Sequence, residues 1–149
     1  MNPNQALWEK GNFTKLAALM RQSGDAVIES LAIKPPLRAL DPGCGDGTTA
    51  VLLAQRGADV LGIDIANNLV QARQRRAADL CLKNLVIRQG DACDLQGVAD
   101  QSFDLVLSIF GAMFAPRPFD VAKRGGGGQV LNLARKVFLP PSSTVQSYG

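Results

Sequence analysis

The chain has 149 residues with a net charge of +3, and 46% of them are hydrophobic and 19% charged. This length suffices for one compact domain with a core but not for two ordinary domains, and the composition is that of a globular rather than a disordered protein. The sequence contains no histidine, which excludes histidine-based catalytic triads and histidine metal sites.

Charge, cysteine spacing and the N-terminal residues limit the kinds of partner and location. The densest basic group, Arg73, Arg75 and Arg76, lies on a predicted helix, and we interpret it as a solvated face rather than a nucleic-acid patch. The three cysteines lack metal spacing and suit reduced thiols. Residues 1–4 lack a basic region followed by an apolar core, so we expect no signal peptide, and no apolar run reaches membrane-spanning length. We therefore predict a cytoplasmic protein with no metal, no nucleic-acid partner and no membrane association.

The N-terminal region is predicted to be helical. Apolar residues recur at helical spacing between Asn4 and Ile33, and Gly11 and Ser23-Gly24 interrupt them. This pattern predicts a short first helix and two longer ones, closed by Lys34-Pro35-Pro36. We therefore assign residues 1–36 to an N-terminal helical region.

A strand, a tight turn and a helix are predicted next. Residues 37–40 form a short apolar run that ends at Asp41, and a helix-compatible run from Thr48 to Arg56 follows the turn and stops at Gly57, a C-terminal glycine cap. Between them, glycines stand at alternate positions: Gly43, Gly45 and Gly47. Because glycine has no Cβ, this turn can adopt positive φ angles and present bare backbone N–H groups to a ligand.

The rest of the chain alternates between strands and helices. Further strands are predicted at residues 59–63, 85–88, 103–109 and 129–133. A helix is predicted to begin at Asn67 or Asn68, with a buried stripe of Leu69, Ala72, Arg76, Ala77 and Leu80. Such alternation predicts an α/β fold with a mostly parallel sheet of about five strands, in which the polar residues after each strand share the carboxyl edge.

Four segments, in this order, resemble the motifs of the class I S-adenosylmethionine-dependent methyltransferases. They are residues 40–47, 60–65, 90–92 and 103–108. The resemblance implies a Rossmann-like three-layer sandwich that binds S-adenosyl-L-methionine, with residues 37–133 forming the binding domain. It also implies that the N-terminal helices act as a cap, although ordinary core packing explains Trp8 and Phe13 equally well.

The resemblance also implies a set of cofactor-binding residues. Asp41 would lie near the ammonium group, Asp64 would bind the ribose hydroxyls, Asp91 would meet the adenine amine, and Ser108 would end beneath the methionine part. The full predicted set is Asp41, Gly43, Cys44, Gly45, Gly47, Asp64, Ile65, Asp91, Ala92 and Ser108. A turn or a helix cap is the alternative role for Asp64 and Asp91.

The loop after the fourth predicted strand resembles the floor of the active site in bacterial small-molecule methyltransferases. Phe110, Met113 and Phe114 could surround an apolar acceptor, and plain packing of the loop is the alternative. No carboxylate has a spacing that argues for a catalytic base, so we name no catalytic residue.

The resemblance largely stops after Lys123. The family continues into a Pro-Gly-Gly turn, a fifth strand and an antiparallel hairpin, whereas this chain has Arg124 followed by four glycines and too few residues for the hairpin. Residues 134–149 read as a tail. We therefore expect a truncated or frame-shifted C-terminus and an open sheet edge that a homodimer would cover.

Three functions are consistent with these observations. The first is a methyltransferase acting on a small-molecule acceptor, and the second is a cofactor-binding homologue or partner subunit that no longer catalyses. The third, an NAD-binding Rossmann domain, is disfavoured because Thr48 replaces the third glycine of the dinucleotide fingerprint and because Asp41 would repel a pyrophosphate.

Overall fold

The computed structural model describes residues 5–10, 24–99, 102–109, 111, 115–117 and 129–132. For residues 72, 73, 76 and 129–132 this description covers the backbone alone. The elements are α1 (Gln5–Lys10), α2 (residues 24–30), β1 (Arg38–Pro42), α3 (Thr48–Gln55), β2 (Asp59–Asp64), α4 (Asn67–Asp79), β3 (Leu85–Gln89), β4 (Leu105–Ser108) and β5 (Gln129–Asn132).

The strands form one five-stranded sheet in the order β3-β2-β1-β4-β5, and each neighbouring pair is parallel. This confirms the predicted α/β, Rossmann-like sheet of about five strands. The ladder is longest on one side, where β2 shares five residue pairs with β1 and five with β3. In the middle of the sheet, β1 and β4 share two pairs. The described residues contain no antiparallel strand, and residues 134–149 lie outside the described part of the chain.

Strand bounds differ from the predictions by one or two residues. The largest difference is at β4, which begins at Leu105 rather than at residue 103. The reason is local: the Asp104 carboxylate accepts a hydrogen bond from the Arg38 N–H (2.8 Å), and the Asp104 N–H donates to the Arg38 carbonyl (2.9 Å). This exchange joins the two segments before the β1–β4 ladder starts.

Both faces of the sheet are covered, as the nearly continuous apolar strands predicted. Neighbouring residues point to opposite faces: Ala39 packs with Leu53 of α3 and Ile28 of α2, whereas Leu40 packs with Phe103 on the other face. The second face is covered by the segment between β3 and β4, through Leu95, Val98 and Phe103. The sheet therefore lies between two layers, and its carboxyl edge remains for ligands.

Helix α4 begins at Asn67, as predicted, but its buried stripe was only partly right. Leu69 and Ala77 are buried, and Val70 is buried as well. The prediction for Leu80 was wrong, because the helix ends at Asp79 and Leu80, in the turn that follows, is 42% exposed. The side chains predicted at positions 72 and 76 lie outside the described part of the structure.

The N-terminal prediction is tested in part. Residues 5–10 form the short first helix and residues 24–30 lie in a later one, which packs on the core through Ile28. The remaining predicted helix falls on residues 11–23, outside the described residues. Gly57 follows α3 with φ of 90° and donates its N–H to the Ala54 carbonyl (3.0 Å), which confirms the predicted glycine cap. Among the described residues, no helix has the length and apolar character needed to cross a membrane.

Candidate functional site

The candidate site lies at the carboxyl edge of the sheet, around the boundary between β1 and β4. From β1 the chain continues to β2 and β3 on one side, and β4 and β5 lie on the other side. Such a reversal of strand order opens a crevice between the loops that leave the central strands, and open α/β sheets bind their ligands there. The loop after β1 (residues 43–47, the glycine loop) lies at this point.

The glycine loop uses the conformational freedom of its three glycines. Gly43, Gly45 and Gly47 have φ angles of 70°, 49° and 74°, in the left-handed region that other residues rarely adopt. A Cβ built on Gly45 would meet no other heavy atom within 4 Å. The backbone of Gly45 therefore borders open space, and a ligand can approach it closely.

Backbone hydrogen bonds fasten the start of the glycine loop to β2. The N–H groups of Gly43 and Cys44 both donate to the Ile63 carbonyl, at 2.8 and 3.1 Å. At the other end of the loop, the Asp46 carboxylate accepts hydrogen bonds from the Thr48 N–H (3.1 Å) and hydroxyl (2.8 Å). This carboxylate lies at the N-terminus of α3, where negative charge is favourable.

Asp64 connects the end of β2 to the glycine loop. One oxygen of its carboxylate accepts a hydrogen bond from the Gly45 N–H at 2.7 Å, and the other accepts one from the Ala66 N–H at 2.9 Å. The side chain is buried, as is that of Asp41 near the end of β1, which is 1% exposed. Two buried carboxylates close to the glycine loop favour a ligand that carries positive charge.

The side chain of Cys44 points away from open space and into the core. A Cβ built on Gly62 of β2 would lie 2.9 Å from the Cys44 sulfur, so the sulfur occupies the space that a side chain at position 62 would need. Cys44 is buried and belongs to the core cluster beneath α3. This position was predicted to contact the cofactor, and the geometry leaves only its backbone for such a contact.

The turn after β3 lies two strands away from the glycine loop. The Asp91 carboxylate accepts a hydrogen bond from the Cys93 N–H at 2.9 Å, and the Gly90 N–H donates to the Asp64 carbonyl at 2.9 Å. Ile65 is tied to the same region, because its carbonyl accepts a hydrogen bond from the Gln89 side chain (3.2 Å). These bonds bring the ends of β2 and β3 together.

A depression of about 350 Å³ lies beside this turn. It is lined by Ile63, Arg88, Gln89, Gly90, Asp91, Asp94, Leu95 and Gln96. Next to it, Ala92 packs against the buried side chain of Cys93. Burial is the main cause that raises the pKa of the Cys93 thiol above its ordinary value of 9.0, so this thiol is neutral at physiological pH.

Ser108 and Gly111 lie where the chain leaves β4, next to the glycine loop. The Ser108 hydroxyl donates a hydrogen bond to the Pro42 carbonyl at 2.7 Å, which joins the ends of β4 and β1. Gly111 lies so close to the Gly43 carbonyl that a Cβ at position 111 would overlap it. Gly111 was not among the predicted site residues. The sequence shows only a glycine two residues after the predicted strand of residues 103–109.

The structure thus brings the predicted residues into two neighbouring groups. The first surrounds the glycine loop and comprises Asp41, Gly43, Cys44, Gly45, Gly47, Asp64 and Ser108. The second lies at the end of β3 and comprises Asp91 and Ala92, with Ile65 between the two groups. The predicted acceptor-binding residues Phe110, Met113 and Phe114 lie outside the described residues. No group of three or more potential metal ligands occurs in the described part of the chain.

Comparison with known proteins shows where this arrangement has been seen before. A family profile described as a methyltransferase domain matches residues 33–142. An uncharacterized protein of Mycobacterium tuberculosis is 34% identical over 114 residues, which cover 76% of this chain and 41% of that protein. The demethylmenaquinone methyltransferase of Beutenbergia cavernae is 37% identical over 86 residues, which cover 58% of this chain and 33% of that enzyme. The chain therefore spans less than half the length of these two curated relatives.

The fold comparison agrees with the sequence comparison. The crystal structure of a SAM-dependent methyltransferase from Aquifex aeolicus superposes with a TM-score of 0.69 at 19% identity, covering 83% of this chain and 72% of that one. At this level of identity the likeness concerns the fold. It places the glycine loop and the carboxyl edge described above within a known architecture.

Proposed function

Because this chain belongs to the methyltransferase domain family, we propose that it binds S-adenosylmethionine at the carboxyl edge of its sheet and transfers the methyl group to a small-molecule acceptor. Membership of the family implies S-adenosylmethionine as the cofactor. One observation carries the proposal: the Gly45 N–H donates to the Asp64 carboxylate, directly beside open space above Gly45.

The residues around the glycine loop fit such a cofactor. The two oxygens of the Asp64 carboxylate accept the N–H groups of Gly45 and Ala66, which fix its orientation at the end of β2. A carboxylate oxygen can accept more than one hydrogen bond, and a carboxylate held in this way suits the two neighbouring hydroxyls of a ribose. The buried carboxylates of Asp41 and Asp64 also suit the cationic sulfonium and ammonium groups of this cofactor.

The chemistry asks mainly for orientation. When bound, the cofactor supplies an activated methyl group, and the protein aligns the two reactants. We assign Asp64 to the ribose, the turn at Asp91 and Ala92 to the adenine, and the glycine loop with Asp41 and Ser108 to the amino-acid part. These assignments rest on the resemblance and on the grouping of the residues.

A small-molecule acceptor is supported by the kind of relative that matches. The Beutenbergia cavernae relative is named for a quinone precursor, which is a small molecule. We propose the same class of acceptor, bound near the segment that leaves β4. Because the chain has no histidine, the candidates that we name for a proton acceptor are carboxylates such as Asp46 or Asp94 and the single tyrosine, Tyr148.

Isothermal titration calorimetry tests the binding part of the proposal. We expect saturable heat with S-adenosylmethionine and with S-adenosylhomocysteine, and none with NAD, which needs a pyrophosphate site. Absence of heat with both adenosyl ligands would refute the proposal. Turnover with a panel of small-molecule acceptors then separates the enzyme from the alternative of a binding subunit that does not catalyse.

Three further predictions remain proposals. We propose that the protein is cytoplasmic, that residues 1–36 cap a binding domain of residues 37–133, and that a homodimer covers the outer edge of the sheet. Light scattering that shows a monomer at high concentration would contradict the dimer. Limited proteolysis that releases residues 1–36 without loss of S-adenosylmethionine binding would contradict the cap.

A further inference from the structure

Gly111, in the chain that leaves β4, lies against the first residue of the glycine loop. A Cβ at this position would overlap the carbonyl oxygen of Gly43 and lie 2.7 Å from its carbonyl carbon and 3.0 Å from its Cα. The requirement is steric: only a residue without a side chain fits against this peptide.

The peptide that Gly111 contacts is the first of the glycine loop. The N–H of Gly43 donates to the Ile63 carbonyl at 2.8 Å, which holds one side of the residue against β2. Gly111 lies against the carbonyl on its other side. Gly43 is therefore held between β2 and the chain that leaves β4, and it cannot shift toward Gly111.

A second contact from β4 reaches the preceding residue. The Ser108 hydroxyl donates to the Pro42 carbonyl at 2.7 Å. Two consecutive carbonyls at the end of β1 thus face residues that follow or end β4. The Gly45 N–H, two residues further on, is aimed at the Asp64 carboxylate at 2.7 Å. A displacement of Gly43 would be passed along this short loop to Gly45.

We propose that Gly111 is a positioning residue for the cofactor. It touches the loop through its backbone and sets where the Gly43 peptide lies, and thereby the height of the loop under the amino-acid part of S-adenosylmethionine. This inference rests on the proposed function. The positioning depends on the absence of a side chain at position 111. An added methyl group would have to displace either the glycine loop, toward the ligand, or the segment that leaves β4.

The position of Gly111 predicts a selective effect on ligands. The sheet order β3-β2-β1-β4 places Gly111 at the β1–β4 side of the site, because it follows β4, which lies three strands from β3 and the turn at Asp91. Under the proposed function, the adenosine part lies toward β2 and β3 and the amino-acid part toward β4. Gly111→Ala should therefore affect S-adenosylmethionine more than 5′-methylthioadenosine, which lacks the amino-acid part.

The experiment is calorimetry on the full chain and two alanine variants. We expect Gly111→Ala to weaken S-adenosylmethionine binding at least tenfold and 5′-methylthioadenosine binding less than threefold. The control is Asn84→Ala, because the Asn84 side chain donates to the carbonyls of Ala54 and Ala58, both at 2.8 Å, in the turn between α3 and β2 and away from the carboxyl edge. The control should bind both ligands as the unmodified chain does.

Each outcome decides between a positioning role and a structural one. Equal weakening of both ligands, or unchanged binding of S-adenosylmethionine, would overturn the inference. Failure of the unmodified chain to bind S-adenosylmethionine would refute the proposed function and the inference with it. Should Gly111→Ala not fold, hydrogen exchange on the unmodified chain decides. Protection of residues 43–47 and of residue 111 on adding S-adenosylmethionine supports the inference, and protection of residues 43–47 alone overturns it.

Discussion

The amino and carboxyl edges of the sheet, where the strands begin and end, both carry an aspartate that binds backbone N–H groups, but the two aspartates differ in their surroundings. At the amino edge, the Asp104 carboxylate accepts a hydrogen bond from the Arg38 N–H, and the Arg38 guanidinium lies 5.3 Å from the centre of the Phe103 ring. At the carboxyl edge, the Asp64 carboxylate also accepts backbone N–H groups. The surroundings differ, because Asp64 is buried beside left-handed glycines, whereas Asp104 is exposed.

This difference teaches that a hydrogen-bonded aspartate does not by itself mark a site. The carboxylates of Asp104 and Asp64 each accept a short hydrogen bond from a backbone N–H, at 2.8 and 2.7 Å, so hydrogen bonding alone does not distinguish them. What separates them is burial against the glycine loop: the Asp64 carboxylate is buried and accepts the Gly45 N–H, whereas Asp104 is exposed. The following predictions test whether the carboxyl edge governs binding while the amino edge governs stability.

Asp64→Ala should have the largest effect on binding. It removes the acceptor of the Gly45 N–H and, under the proposed function, of the ribose hydroxyls. Hydrogen bonds to charged groups contribute about 1.5–3 kcal/mol, which corresponds to roughly 10- to 150-fold weaker S-adenosylmethionine binding. Calorimetry measures the change. The control is Asp104→Ala at the amino edge, which removes the acceptor of one backbone N–H, where Asp64→Ala removes the acceptor of two, and should bind as before.

Asn84→Ala should lower stability and leave ligand binding unchanged. Its side chain donates to the carbonyls of Ala54 and Ala58, both at 2.8 Å, and so closes the turn between α3 and β2 far from the carboxyl edge. Loss of two neutral hydrogen bonds should lower the free energy of unfolding by about 1–3 kcal/mol. Urea denaturation measures this loss. A comparable loss of S-adenosylmethionine affinity in the folded variant would break the division between the edges.

Ser108→Ala tests a residue that could contribute both to ligand binding and to stability. It lies at the carboxyl edge and was predicted to bind the cofactor, yet its hydroxyl donates to the Pro42 carbonyl. We expect a loss of about 0.5–1.5 kcal/mol in the free energy of unfolding, as for one neutral hydrogen bond. Ser30→Ala, which removes an exposed hydroxyl-to-carbonyl bond within α2, is the control and should cost less. Weaker ligand binding without lower stability would give Ser108 a direct role.

The smallest effect concerns Cys93. Burial raises the pKa of its thiol in the folded state, so folding favours the protonated form. That contribution is fully present below the ordinary pKa of 9.0 and is lost as the pH rises through the folded-state value. The free energy of unfolding should therefore fall more steeply above pH 9.0 in the unmodified chain than in Cys93→Ala. Parallel pH profiles of the two proteins would contradict this.

Much of the fold could be predicted because its signals are local. The glycines at alternate positions, the acids at the ends of the first two strands and the apolar runs predicted the strands, α3 and the parallel sheet. The resemblance to methyltransferases agrees with the family profile that matches residues 33–142. The roles of the individual cofactor-binding residues stay predictions.

The remaining features depend on contacts between distant residues. Leu80 fits the periodicity of α4, but the helix ends one residue earlier, and no local signal marks that end. The fit of Cys44 against Gly62 joins residues on a loop and a neighbouring strand. Gly111 likewise matters only through Gly43, which is far away along the chain. Periodicity cannot reveal such pairs, because it describes one element at a time.

The short ladder between β1 and β4 has a mechanical consequence. Two residue pairs join these strands, whereas five join β1 to β2 and four join β4 to β5. The seam between β1 and β4 therefore depends also on side-chain hydrogen bonds at its two ends, from the Arg38 N–H to Asp104 and from Ser108 to the Pro42 carbonyl. Because the seam opens directly into the crevice, a ligand that bridges it would act as a staple between two halves of the molecule.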